Sequence, residues 1–299
     1  MVLLDLHLLS LTPSITPSHL LQTLHAQLPQ GAKVVFQARV LRWMVLPAHT
    51  SAPRLLGRNI HWDLVVGILR PSSSSDKDWI PFPLRTDAGL VAERWSVSSG
   101  VSAKAVEGYQ RLNDQLYAPG TAGESVPTSD IPSITKVGKG DFFLDAESGE
   151  WTQWLSSSSR GAAVRDRPVS MLNLLKFRPG KETHESYKRY GEEFSKRVGA
   201  KYGGRVKIVG RVVGSPAVPD GEQKDGGVGT ADEDGWHEIA WVHYPSARHF
   251  AAMAASEEYK QVNLEHRVKA LEDTFILCCQ EVGVDGEWVG GKGQGGSKL

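Results

Sequence analysis

The chain alternates short apolar runs with amphipathic stretches. Residues 1–11 and 32–46 are β-rich, and 61–69 reads as a further strand around Trp62, Leu64 and Val66. Residues 18–28 place Leu20, Leu21, Leu24 and Leu28 on one helical stripe, with Thr16 or Ser18 as the cap. Residues 101–116 form a helix pattern through Val106, Tyr109 and Leu112. Residues 118–132 are rich in Pro, Gly, Ser and Thr, which marks a surface connection. Residues 142–155 read as a strand end followed by a helix with Trp151 and Trp154.

The second half is clearer. Residues 169–177 form a strand, and Pro179-Gly180 turns the chain. Tyr187, Tyr190, Phe194 and Val198 recur at three- and four-residue spacing on a helix over 185–200, which Gly203-Gly204 ends. Strands follow at 205–213 and 236–244, separated by a Gly/Asp/Pro-rich loop over 214–235 without apolar periodicity. Helical segments with Phe250, Met253, Tyr259, Val262 and Val268 precede a last strand at 274–282. The order β-α-β-β-α-β is the ferredoxin-like unit. The runs 3–9, 33–40 and 61–66 read like 170–175, 205–212 and 236–241, in the same order. Three ordered matches predict a tandem duplication. The expected domains are 1–155 and 168–283, joined by a linker at 156–167 and followed by a flexible tail at 284–299.

The residues Met171-Leu172-Asn173-Leu174-Leu175-Lys176-Phe177, Gly203-Gly204-Arg205-Val206, Gly210-Arg211-Val212, Trp236-His237-Glu238 and Tyr244-Pro245-Ser246, with Tyr187, Tyr190, Phe250 and Glu258-Tyr259, resemble the dimeric α+β barrel superfamily. Residues 168–282 resemble a small family of unknown function within it. The resemblance implies an α+β fold of two ferredoxin-like α/β-sandwich domains, their sheets packed together as an intramolecular dimeric α+β barrel. It implies a pocket between each sheet and its helices, and a monomer. Relatives include cofactor-free monooxygenases, decarboxylases, cyclases, haem-linked enzymes and proteins without known activity, so the fold does not fix the reaction.

Composition narrows the partners. The 34 basic and 34 acidic residues cancel, which leaves no overall field to draw the chain to nucleic acid or an anionic membrane. No apolar run is long enough to span a bilayer. Asp5 and His7 interrupt the apolar start and no basic segment precedes it, so a first strand is expected there rather than a secretory leader. The two cysteines, Cys278 and Cys279, are adjacent; a bridge between neighbours has poor geometry, and two thiols alone cannot build a structural zinc site. The chain closes on Ser297-Lys298-Leu299 after a glycine-rich stretch. That tripeptide is the address read by the peroxisomal import receptor, so the expected location is the peroxisome matrix.

Candidate chemistry is dispersed. Asn173 is a polar group in an apolar strand, suited either to a substrate oxygen or to tying strand to helix. His237 is a candidate general base, with a satisfied structural histidine as the alternative. His61 and Asp63 fall on one strand face as a potential oriented pair. Tyr190 joins them as a candidate catalytic phenol. Tyr187, Arg211, Trp241 and Arg267 are candidate substrate-binding residues, the arginines for a carboxylate. The histidines show no metal-ligand spacing, and no phosphate-binding or nucleophile-elbow motif is present. The expected function is a cofactor-independent enzyme, a lyase or isomerase, acting by proton transfer on a hydrophobic oxygenated small molecule such as a polyketide- or lipid-derived acid of secondary metabolism. Decarboxylation, dehydration, cyclisation and isomerisation all fit. The alternative is a non-catalytic small-molecule-binding or stress-related barrel protein; a haem protein would need a histidine facing a large cavity.

The targeting expectation has a direct check. A fluorescent protein fused to the N-terminus should co-localise with peroxisomes, and removing Ser297, Lys298 and Leu299 should leave it diffuse. Diffuse fluorescence of the intact fusion would remove the assignment.

Overall fold

The computed structural model describes residues 1–71, 79–118, 154, 166–214 and 235–290. Its frame is eight strands: β1 (Val2–Leu11), β2 (Lys33–Val45), β3 (Leu64–Leu69), β4 (Val91–Val101), β5 (Val169–Phe177), β6 (Arg205–Gly214), β7 (Glu238–Tyr244) and β8 (Leu271–Glu281). They close in the order β1-β3-β2-β8-β5-β7-β6-β4, with every pair antiparallel. The expectation of two ferredoxin-like α/β-sandwich domains is therefore corrected. There is one continuous sheet, because the edge strands of each half hydrogen-bond to the other half. β2 pairs with β8 from Ala38↔Glu281 to Val45↔Ile276, and β4 pairs with β6 at Val101↔Gly210. Edge pairing satisfies backbone groups that separate sandwiches would leave open.

The first half also departs from the expected element order. β4 lies over residues whose Ser96, Ser98, Ser99 and Gly100 hide its strand character, and no helix longer than three residues joins it to β3 among the described residues. His61, Trp62 and Asp63 precede β3 rather than belonging to it. The expected element at 118–132 from residue 119 on, that at 142–155 (Trp154 apart), residues 156–165 of the linker expected at 156–167, residues 215–234 of the loop expected at 214–235, and residues 291–299 of the tail expected at 284–299, with its Ser-Lys-Leu end, lie outside the described residues.

Alternation sets the two faces. Leu4, Leu6 and Leu8 of β1, Leu172 and Leu174 of β5, Ile239 and Trp241 of β7, and Phe275, Leu277 and Cys279 of β8 point inward to one packed core. An eight-stranded barrel has room for side chains but not for a channel. Here Phe36 stacks on Trp241 at 4.6 Å, and Trp43, Trp95 and Trp236 meet Phe275 edge-on. Both cysteines are free and buried.

Helices cover the outer faces. α1 (Pro17–Ala26), capped by Thr16 Oγ1 on the His19 N–H, buries Leu20, Leu21 and Leu24 against Leu9, Val66 and Ile68. α2 (Ala52–Leu56) is a single short turn, and α3 (Ala103–Leu116) sends Val106 and Tyr109 into the barrel core. α4 (Lys181–Glu193) continues through a π turn, Phe194–Val198, and a last turn, Gly199–Lys201. Gly203 ends it in the left-handed region at φ +71, where a Cβ would strike Pro245. α5 (Ala247–Ala255) and α6 (Glu257–Val262, then a π turn Asn263–Arg267 and Val268–Ala270) are capped by Ser246 and Ser256.

Two buried carboxylates cross between the halves. Asp273 accepts hydrogen bonds from the backbone N–H groups of Ala48, His49 and Thr50. Glu281 accepts from Tyr109 and Asn113 of α3, from Ser170 of β5, from Trp241 of β7, and from the Lys207 ammonium of β6, with which it forms an ion pair. Burial alone would raise the Glu281 carboxyl; Lys207 and the surrounding hydroxyl donors outweigh it and hold the group below its ordinary range. A carboxyl lowered in the folded state contributes stability above its unfolded pKa, and that contribution is lost as pH falls through the folded value. Glu281→Gln, which leaves Lys207 buried and unpaired, should cost about 3–5 kcal/mol at pH 7. Chemical denaturation from pH 7 to pH 3 should show the gap to wild type closing, with Lys207→Met/Glu281→Gln recovering most of the loss. Equal stability of Glu281→Gln and wild type at pH 7 would show the pair to be inert.

Candidate functional site

A pocket of about 500 Å³ lies on the outer face of the second half, between β5–β8 and helices α4, α5 and α6. Strand register makes its floor a grid. Leu175 stands opposite Glu238 on β7 and Thr274 on β8. Asn173 stands opposite Ala240 and Ile276, and Met171 opposite Val242 and Cys278. Directly opposed residues share a face, so three rows cross the floor. Neighbouring strands are about 4.8 Å apart and alternate rows roughly 7 Å apart, which makes the floor about 10 Å wide and 13 Å long. The wall is apolar and aromatic: Phe194 from the π turn, Phe250 and Met253 from α5, Tyr244 from β7, and Tyr187 and Tyr190 from α4. The alanines of α5, all buried, let that helix lie close to its neighbours.

The first row carries the ionisable groups. Glu238 is half-buried, lines the pocket, and makes no hydrogen bond or ion pair among the described residues; Arg211, opposite it on β6, is exposed and does not close on it. Desolvation alone raises the Glu238 carboxyl to about 7. Arg267 is 2 % exposed. Its Nη2 donates to Thr274 Oγ1 at 3.2 Å, and that hydroxyl donates to the Leu174 carbonyl. The Tyr187 phenol lies close enough for the guanidinium charge to act on it. No carboxylate of the described residues pairs with the guanidinium. Arg267 sits in the π turn of α6, an irregularity that recurs at functional sites because it re-aims side chains. Burial pushes the phenols of Tyr187 and Tyr190 up, so both stay protonated donors.

The structure brings Asn173, Tyr187, Tyr190 and Arg267 together in this pocket. The Asn173 amide nitrogen is already committed to the carbonyls of Met171 and Ala240, at 3.1 and 3.4 Å. Both partners are acceptors, which fixes the amide orientation and leaves Oδ1 for a ligand. The other candidates from the sequence lie elsewhere. His237 is half-buried outside the pocket, where its Nδ1 accepts from the Phe177 N–H at 3.0 Å and its ring stacks on Phe177. Burial, together with the His184 and Lys176 charges, keeps that imidazole below its ordinary range. His61 is 84 % exposed, and Asp63 accepts from the Leu11 N–H. Arg211 is exposed, and Trp241 points into the barrel core, where its Nε1 donates to the Tyr109 hydroxyl. Ser297, Lys298 and Leu299 lie outside the described residues.

Glu238 is the residue that sequence reasoning passes over. Ile239 and Trp241 of β7 face the barrel interior, and His237 precedes the strand and packs on Phe177; the pocket face reads Glu238, Ala240, Val242 and Tyr244. Among the described residues, no group of three or more His, Cys, Asp or Glu side chains is arranged to hold a metal ion.

No family model matches the chain. No curated protein matches it. Among solved structures, it is similar to a protein of unknown function from Rhodopseudomonas palustris, at 28% identity over 39% of this chain and 84% of that one, with a TM-score of 0.30. It is also similar to a candidate monooxygenase from Lactobacillus acidophilus, at 8% identity over 94% of each chain, with a TM-score of 0.40. An anthrone oxidase-like protein is 10% identical over 94% of this chain and 92% of that one, with a TM-score of 0.40.

Proposed function

We propose that the chain is an enzyme acting on a hydrophobic oxygenated small molecule, and that Glu238 moves the proton. The observation that carries this reading is a desolvated carboxyl, without a partner among the described residues, on the wall of an apolar pocket large enough for a two-ring molecule. A carboxyl held near neutrality is suited to both halves of a proton transfer. Its ionised form takes a proton from a carbon beside a carbonyl, and its protonated form returns that proton at the same or a neighbouring atom. The enolate oxygen formed between these steps is negatively charged. The Tyr190 phenol, kept protonated, supplies a donor to it, and Asn173 Oδ1 supplies an acceptor for a substrate hydroxyl. Isomerisation, cyclisation and dehydration each begin with such a step. His237, His61 and Asp63 are not part of this proposal, since none of them lines the pocket.

The test needs no natural substrate. 2-Tetralone is an apolar ketone with acidic protons beside its carbonyl, and their exchange in D2O can be followed by NMR. The protein should accelerate exchange, with a rate that rises through a single limb near pH 7, the value at which Glu238 ionises. Glu238→Gln should lose about 10²- to 10⁴-fold of that rate. The same variant reports on stability. A carboxyl raised in the fold stabilises fully below its unfolded pKa, and that stability is lost as pH rises through the folded value. Glu238→Gln should therefore match wild type near pH 4 and exceed it at pH 8 by up to roughly 3 kcal/mol. Exchange no faster than in buffer, or unchanged in Glu238→Gln, would overturn the proposal.

A further inference from the structure

Arg267 poses a separate problem. Its guanidinium is almost wholly enclosed, yet no carboxylate of the described residues neutralises it. One hydroxyl, Thr274 Oγ1, accepts from it and one phenol, Tyr187, stands beside it, both neutral. A buried charge without a counter-charge is costly and is uncommon in a site that only serves packing. The acidic residue that register brings to the same row of the floor, Glu238, stands two strands away, and the two groups do not pair. The guanidinium also borders the pocket, and five N–H donors are more than Thr274 and Tyr187 can engage.

We infer that the ligand supplies the missing charge: the pocket takes an apolar monocarboxylic acid, its carboxylate on Arg267 and its apolar body along the row of Asn173, Ala240 and Ile276 towards Met171 and Val242. This rests on the same pocket being the ligand site, but not on Glu238 moving a proton. The geometry separates handle from reaction. The carboxylate sits over Thr274 on β8, and Glu238 rises from β7, with the Cα positions of the two strands about 10 Å apart. The reacting atom is then several bonds from the carboxylate carbon, so the acid group that binds is kept rather than lost as carbon dioxide. Tyr187 stands on the wall beside the guanidinium, and the charges of both Arg267 and Glu238 act on its phenol.

2-Naphthoate and 2-naphthamide differ in charge and little in shape, and they fit the cavity. Calorimetric titration should show the acid binding roughly 10- to 100-fold more tightly than the amide, the range expected of a charge-assisted hydrogen bond pair. Arg267→Met should bind both equally. The unliganded Arg267→Met protein should also melt at or above the wild-type temperature, because it removes a buried charge. A guanidinium that served only to tie α6 to Thr274 would give the reverse, a lower melting temperature. Equal affinity of the wild-type protein for the acid and the amide would overturn the inference even if Arg267→Met did not fold. Tetralone exchange by wild type, with no preference for the acid, would reject this inference and leave the proton-transfer proposal standing. Preference for the acid without exchange would do the opposite.

Discussion

The ion pair of Lys207 and Glu281 is the constraint on which the barrel rests. Both side chains are almost fully excluded from water; the Lys207 ammonium is satisfied by Glu281 and the Asn113 Oδ1 acceptor, and the Glu281 carboxylate by fixed donors. Those donors come from four elements: Tyr109 and Asn113 of α3, Ser170 of β5, Trp241 of β7 and Lys207 itself on β6. A buried pair of this kind contributes little net stability compared with an apolar replacement, but it penalises every arrangement that fails to bring its members together. Here the members lie far apart in sequence. Helix α3 of the first half can reach Glu281 only when the strands of the second half have closed around it. The pair therefore selects one closure of the sheet from those that hydrophobic alternation alone would allow.

The outer pocket inherits that rigidity. β5, β7 and β8 are held on their inner face by Leu172, Trp241, Phe275 and the Glu281 network, so the opposite face presents Met171, Asn173, Glu238 and Ile276 at fixed spacing. Sites built on strands hold their geometry more closely than sites built on loops. The helices then hollow the pocket rather than fill it. Two π turns, one at Phe194–Val198 and one at Asn263–Arg267, each send a side chain to its wall.

Much of this is legible in the sequence. The strand at Val169–Phe177 is readable to the residue, and the stripe of Tyr187, Tyr190 and Phe194 correctly marks a helix face over the sheet. β4 is hidden because its serines and glycine carry little β-propensity and are buried by tertiary packing alone. Closure is hidden because sheet edges choose partners through distant register, which local alternation does not encode. Favouring His237 over Glu238 fails for two reasons: the apolar face of β7, Ile239 and Trp241, is the barrel interior, and His237 precedes the strand and packs on Phe177 instead of continuing its alternation. The direction of α6 is obscured for a different reason. A regular 3.6-residue helix from Tyr259 gives His266 and Leu264 competing claims to the inner face, whereas the π turn adds a residue and turns Arg267 inward, with Ala270 buried after it.

The two outer faces of the barrel have been put to different uses. On the first half, Leu20, Leu21, Leu24 and Leu84 fill the space above Leu9, Val66 and Ile68. On the second half, the corresponding layer encloses a cavity. A fold in which one side is solid and the other hollow can alter its ligand without renegotiating its stability. Drift in the residues above Met171 and Asn173 changes what is accommodated, while the solid flank and the shared interior absorb the cost. Variation among descendants of such a chain would be partitioned by sheet face rather than by position along the polypeptide.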